Sequence, residues 1–110
     1  MKPKEIKEYT LLEVCDLIPG GRATKIEGGT VLIYGAGNKP IGMTDKANCP
    51  EESIRLTRKG TVGYTYLHRE SFWADDACYR VEPKSMIEKM YLFHWLKMME
   101  PELARYANVS

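Results

Sequence analysis

Cysteine is scarce in this 110-residue chain, and the three present, Cys15, Cys49 and Cys78, are an odd number at wide spacing. The absence of any Cys-x-x-Cys pair excludes a zinc knuckle and a dithiol redox motif. The thiols read as reduced, small apolar residues in a cytoplasm-like compartment. An excess of one charge is also lacking: 16 Lys+Arg face 15 Asp+Glu, a formal net charge of +1. That balance excludes a strongly basic nucleic-acid arm, an acidic tail and a disordered polymer. Long hydrophobic runs are missing. The longest uncharged apolar stretch near the C-terminus is Met90–Leu96, interrupted by His94, against the roughly 20 residues that a bilayer span requires. Behind Met1-Lys2-Pro3-Lys4-Glu5 no apolar stretch of the signal-peptide kind follows. The expectation is a soluble, cytoplasmic protein with no membrane partner.

What the chain does have is 44% hydrophobic residues, and a chain of this length buries about two thirds of its unfolded surface. The reading is a single domain over 1–110. Thr10 followed by Glu13 is a capping-box pattern, and Ile6, Tyr9, Val14 and Ile18 recur at helical intervals. A short helix over Leu11–Leu17 follows from this, ended by Pro19-Gly20-Gly21. Four glycines between 20 and 29 mark an exposed loop. Thr30–Tyr34 is a β-branched, apolar strand; Gly35–Gly42 reads as a flexible segment. Strands are expected at Ser53–Thr57, at Thr61–His68 and as one piece over Phe72–Val81. In the second of these, Val62, Tyr64, Tyr66 and His68 share a face. From about Ser85 to Met99, Met86, Met90, Phe93 and Lys97 fall on one helical stripe and Ile87, Tyr91, His94 and Met98 on the adjoining one, and Pro101 suits the start of a second short helix through Tyr106. The order short helix, strands, helices argues α+β: a curved mixed or antiparallel sheet with a short N-terminal helix and C-terminal amphipathic helices.

Candidate chemistry concentrates in the loops. Between Gly20 and Glu70 there are eight basic residues, Arg55 and Arg69 among them, against five acidic ones, so the middle is more basic than the ends. Phosphate contacts need Lys or Arg, base readout needs side chains such as Arg, Asn or Lys, and glycine-rich backbone lets a loop approach closely. Arg22, Lys25, Asn38, Lys39, Arg58 and Lys59 fit that description; the same charges also read as solvated loop residues. Tyr64 and Tyr66, beside the basic turn, are candidates to stack on bases, although their strand spacing equally suits a core.

Other constellations fail on spacing. After Gly35-x-Gly37, Gly42 comes too late for a dinucleotide loop, and Pro40 sits where a helix should start. Asp75 or Asp76 with Glu82-Pro83-Lys84 resembles a nuclease pattern, but Pro83 ends a strand instead of extending it. The aspartates read instead as strand caps or partners of an arginine. His94, between Phe93 and Trp95, reads as a packed core histidine; His68 reads as an exposed strand end beside Arg69, with a phosphate or base contact as the alternative. No metal or cofactor site emerges.

Several short elements occur in a telling order: Tyr34-Gly35-Ala36-Gly37, Pro40-Ile41-Gly42, Thr44-Asp45, Arg58-Lys59-Gly60-Thr61-Val62-Gly63, Phe72-Trp73-Ala74-Asp75-Asp76-Ala77 and Tyr91–Lys97. With the opening Leu12–Gly21, the series resembles one target-recognition domain of the DNA-specificity subunits of type I restriction–modification systems. The similarity covers about Tyr9 to Tyr106. It implies a non-enzymatic module that reads half of a split double-stranded DNA site. Its partners would be a methyltransferase subunit, which supplies the S-adenosylmethionine chemistry, and a restriction subunit, with a homodimer as a further arrangement. In such subunits a long helix follows each domain, and this sequence ends about where that segment would begin, so the expectation is a single domain without the spacer helix. Loops 20–28, 36–42 and 57–60 would carry the DNA contacts, and the exposed side of the C-terminal helix would dock the partner. The alternative is a protein-interaction or assembly protein that keeps the recognition fold without reading DNA.

Overall fold

The computed structural model describes residues 15–58, 64–84 and 88–109. Seven strands and one helix follow in order: β1 (Cys15–Pro19), β2 (Val31–Tyr34), β3 (Pro40–Thr44), β4 (Ser53–Thr57), β5 (Thr65–His68), β6 (Trp73–Ala74), β7 (Cys78–Pro83) and α1 (Lys89–Val109). They form two sheets, not the one expected: a four-stranded antiparallel sheet in the order β1-β7-β4-β5, and a three-stranded sheet in the order β3-β2-β6. In the smaller sheet β2 pairs antiparallel with β3 and parallel with β6. The α+β class holds.

The expected Leu11–Leu17 helix is overturned where the structure describes it, because Cys15–Leu17 belong to β1; residues 11–14 lie outside the described residues. Cys15 is buried, Asp16 exposed and Leu17 half-buried, a period-two pattern that local helical spacing had masked. Pairing with β7 places Leu17 opposite Val81, and this long-range burial overrides the capping signal. The single strand expected over Phe72–Val81 is broken in two. The Asp75 carboxylate accepts the Ala77 N–H at 2.8 Å, and the Asp75 carbonyl accepts the Cys78 N–H at 3.2 Å. That aspartate turn hands the chain from the small sheet to the large one. Helix α1 runs unbroken through Pro101 in place of two helices; proline's fixed φ is helical, and it forgoes one backbone bond without ending the helix.

Every residue of β4 is buried, and its alternation divides two cores. Ile54 and Leu56 face Cys15, Val81, Leu92 and Leu96, with α1 lying over β5 and β7. Leu92, Leu96 and Met99 recur at helical spacing on the buried side of α1, each contributing about 1.5–3 kcal/mol on full burial. The second core joins Cys49, Phe72, Ala74 and Cys78 beneath the small sheet. Burial raises the Cys15 and Cys49 thiols to about 11 and shifts Cys78 upward as well, so all three stay protonated.

Between these cores Arg55 is fully buried. Its guanidinium donates to the carbonyl of Gly35, to the carbonyl of Gly37 at 2.9 Å and, through Nε, to His68 Nε2 at 3.0 Å. It lies over the rings of Tyr66 and Tyr34, 4.3 and 4.8 Å from their centroids. The Gly35–Gly37 segment, expected to be flexible, is therefore pinned from below. Arg55→Ala removes the donor to Gly37 and His68 and leaves a cavity. We expect a loss of at least about 3 kcal/mol in urea unfolding, with Arg55→Lys recovering only part because one ammonium cannot span these partners.

Candidate nucleic-acid interface

The 20–28 loop owes its path to two glycines. A Cβ on Gly20 would lie 2.1 Å from the Asp75 carbonyl oxygen, so only glycine lets the loop pass the aspartate turn. Gly28 adopts φ of +79°, which permits the turn in which Gly29 N–H donates to Ile26 O at 3.1 Å. Ile26 N–H in turn donates to Met43 O at 2.7 Å, and the Lys25 stem lies 3.1 Å from where a Gly42 Cβ would stand. The loop thus lies along β3. Arg22 and Lys25, both exposed, border a hollow of about 240 Å³ with Ile33, Ile41, Asp75 and Asp76.

Asn38 and Lys39 are exposed on the β2–β3 turn, next to the Gly37 carbonyl that Arg55 holds. Arg22, Lys25, Asn38 and Lys39 therefore belong to two neighbouring loops of the small sheet. Arg58 directly follows β4 of the large sheet. Its N–H donates to Ala77 O at 2.7 Å, and its guanidinium lies 5.0 Å from the Tyr79 ring centroid, which leaves it half-buried. Because Ala77 follows the aspartate turn, Arg58 shares that turn with the hollow beside Arg22 and Lys25. Tyr64 is 40% exposed and held through its backbone by Thr57. Lys59 lies outside the described residues.

Several expectations about individual side chains change. Arg55, counted among the basic residues of the middle, is inaccessible to any ligand. His94 is exposed, not core, because it falls on the outer side of α1 beside Phe93. His68 is half-buried instead of exposed: its ring centroid lies 4.4 Å from Tyr34 and 4.1 Å from Phe72. The nuclease-like pattern dissolves, since Glu82 pairs with Arg80, Lys84 lies 3.9 Å from Asp16, and Asp75 serves its turn. Among the described residues no group of three His, Cys, Asp or Glu side chains is placed to hold a metal. None of the described helices is long and apolar enough to cross a membrane.

Residues 3–110 match the family described as Type I restriction modification DNA specificity domain. The chain belongs to that family. No curated protein matches. Among solved structures, the S subunit of a type I restriction-modification system from M. genitalium superimposes with a TM-score of 0.81 at 20% identity, covering 86% of this chain and 27% of that one. The HsdS subunit from Thermoanaerobacter tengcongensis gives 0.71 at 22% identity, covering 88% and 28%. A chain from a structure on complex assembly and conformational transition of the type I R-M system gives 0.67 at 21%, covering 84% and 27%. The chain thus spans about a quarter of the length of these structural relatives, with which it shares the fold.

Because His68 Nε2 accepts from Arg55, its proton sits on Nδ1 and the ring is neutral. Burial, and then the Arg55 charge, lower its pKa from 6.5 to about 4. An unfolded chain takes up this proton as pH falls through 6.5, while the folded chain resists until about 4. The unfolded state binds more protons in that window, so stability is fully present above pH 6.5 and declines as pH drops toward 4. Discounted for partial exposure, the loss is about 2 kcal/mol. Urea midpoints from pH 7 to 4.5 should show it, and His68→Gln, which still offers an acceptor but does not titrate, should flatten the profile.

Proposed function

We propose that this chain is a single target-recognition domain that reads half of a split double-stranded DNA site and directs a partner methyltransferase or nuclease. It has no catalytic activity or cofactor of its own, and it works in the cytoplasm. Membership of the specificity-domain family supports this reading. So does one observation above the others: Arg22, Lys25, Asn38 and Lys39 are all exposed on two loops of the small sheet, one of which runs along β3 while the other leads into it. Lysine and arginine there supply phosphate contacts that set register, and Asn38 can read a base edge. Arg58 and Tyr64 would add contacts beyond the aspartate turn, with Arg58 and, from the sequence pattern, Lys59 on phosphate.

A second observation favours a protein partner. Met90, Tyr91 and Met98 of α1 are 45, 67 and 70% exposed, on the side away from Leu92 and Leu96. That side is the proposed docking surface for a methyltransferase subunit, a restriction subunit or a second copy. The alternative function, protein interaction or assembly without DNA reading, draws on the same surface and on the nearly neutral charge.

Salt dependence separates the two. Each phosphate contact contributes about −0.9 to the slope of log K against log salt for duplex DNA. Lys25→Ala with Lys39→Ala should weaken binding to all duplexes alike and reduce the slope's magnitude by about 2. An unchanged slope removes both lysines from the interface. A chain that retains no duplex at low salt supports the interaction function instead.

A further inference from the structure

On the large-sheet side of β2 a second hollow, of about 220 Å³, opens where β5 ends. Leu32, Tyr34, His68 and Phe72, all buried or half-buried, form its floor, and exposed Arg69, Glu70 and Ser71 stand on its rim. The lining combines an aromatic floor with a predominantly polar rim, so hydrogen-bonding groups outnumber apolar ones at its opening. One of those groups is unusually well defined. His68 Nε2 is committed to Arg55 Nε at 3.0 Å, so the imidazole offers its single N–H at Nδ1, which diverges from the buried guanidinium. Tyr34 and Phe72 clasp the ring and prevent it from flipping. Arg69 adds a second donor: its guanidinium is 80% exposed and only loosely paired, 3.8 Å from Glu52, a contact too weak to hold it. Glu70 on the same rim repels phosphate and leaves a neutral acceptor as the better guest.

We propose that His68 and Arg69 form a base-reading pair, with the His68 Nδ1–H and the Arg69 guanidinium donating to two acceptors on one base edge at the mouth of this hollow. Guanine alone presents two acceptors, N7 and O6, side by side in the major groove, and arginine is their commonest partner. Arg55 is the positioning residue. The same guanidinium that fixes the His68 tautomer holds the Gly37 carbonyl, and with it the turn bearing Asn38 and Lys39. The reading donor and the proposed phosphate-contacting loop therefore keep a constant separation. This pair rests on the DNA-recognition function proposed above and goes further by assigning which side chains select and which base they select.

The test is selection of the full chain on randomised duplex DNA at low salt, with sequencing of the DNA retained through a stepwise rise in salt. The wild-type chain should enrich a short motif containing guanine. Arg69→Ala and His68→Leu should each relax the same guanine position by about tenfold and leave the other positions intact. His68→Gln, whose amide can accept from Arg55 and donate outward, should retain the guanine. Since His68→Leu also strips Arg55 of a partner and can unfold the chain, Ser71→Trp, which fills the hollow from its exposed rim, gives an independent arm with the same expected relaxation. Identical motifs in wild type, Arg69→Ala and Ser71→Trp would overturn the reading pair while leaving DNA recognition standing. A wild-type chain that enriches no motif overturns sequence recognition itself, and the reading pair with it.

Discussion

Arg55 determines how the two sheets of this domain meet. A guanidinium is costly to remove from water, and here its solvation is replaced by the carbonyls of Gly35 and Gly37, the imidazole of His68 and two aromatic faces. Each named partner is neutral, so the arrangement stores no ion pair; it converts desolvation cost into geometric demand. The fork of donors is planar and rigid, and only one placement of the β2–β3 turn and one His68 tautomer meet it. The large sheet has an apolar core of its own in Ile54, Leu56, Val81 and the α1 leucines. What Arg55 adds is the attachment of the small sheet, and the small sheet carries the proposed contact loops.

A second device guards the outer edge of the large sheet. β5 is an edge strand, and edge strands invite pairing with foreign chains. At Thr65 the N–H donates to Glu100 Oε2 at 2.8 Å and the carbonyl accepts from Lys97 Nζ at 3.2 Å. The two side chains bond each other at 2.8 Å as well. Helix α1 thus occupies that backbone position with its own charges and blunts the edge at Thr65. Its inner side builds the core, one flank closes the sheet, and its outer side remains exposed at Tyr91 and Met98.

The sequence made some of this legible and hid the rest for physical reasons. Strands β2 and β4 were visible because Val31–Tyr34 is a β-branched, apolar run and Ser53–Thr57 alternates polar with apolar residues. The helix α1 was visible in its periodicity, but its core side was misread: the stripes drawn through Met90, Tyr91, His94 and Met98 face outward, and Leu92, Leu96 and Met99 pack on the sheet. β1 was misread, since Cys15 to Ile18 satisfies a helical and an alternating period at once, and only the partner strand decides. The break between β6 and β7 was hidden because Asp75 makes its turn with a side-chain oxygen, leaving no glycine or proline to announce it. Arg55 was counted with the surface charges. Nothing in Ser53-Ile54-Arg55-Leu56-Thr57 set it apart, since alternating polar and apolar residues read as a strand with one face to solvent, and it is the small sheet packed on that face that buries Arg55. His68 was obscured because its burial comes from Tyr34, distant in sequence, and from Phe72, which folds back on it beyond the short Arg69–Ser71 turn.

The balance of charge bears on how such a domain could select DNA. With a net charge of +1 and one of its arginines withdrawn into the core, the phosphate term that drives non-specific binding is small. A weak grip on any duplex lowers affinity, yet it also lowers the background against which a correct site must be distinguished. Discrimination then falls to donors whose direction is fixed before contact, because a side chain that must first be ordered loses part of each bond's worth to entropy. His68 meets that requirement through Arg55 and the flanking rings; Arg69, exposed on the rim, meets it only once a partner base engages. In the proposed reading, selectivity would depend less on how many cations face the solvent than on the buried Arg55 that orients His68 and anchors the β2–β3 turn.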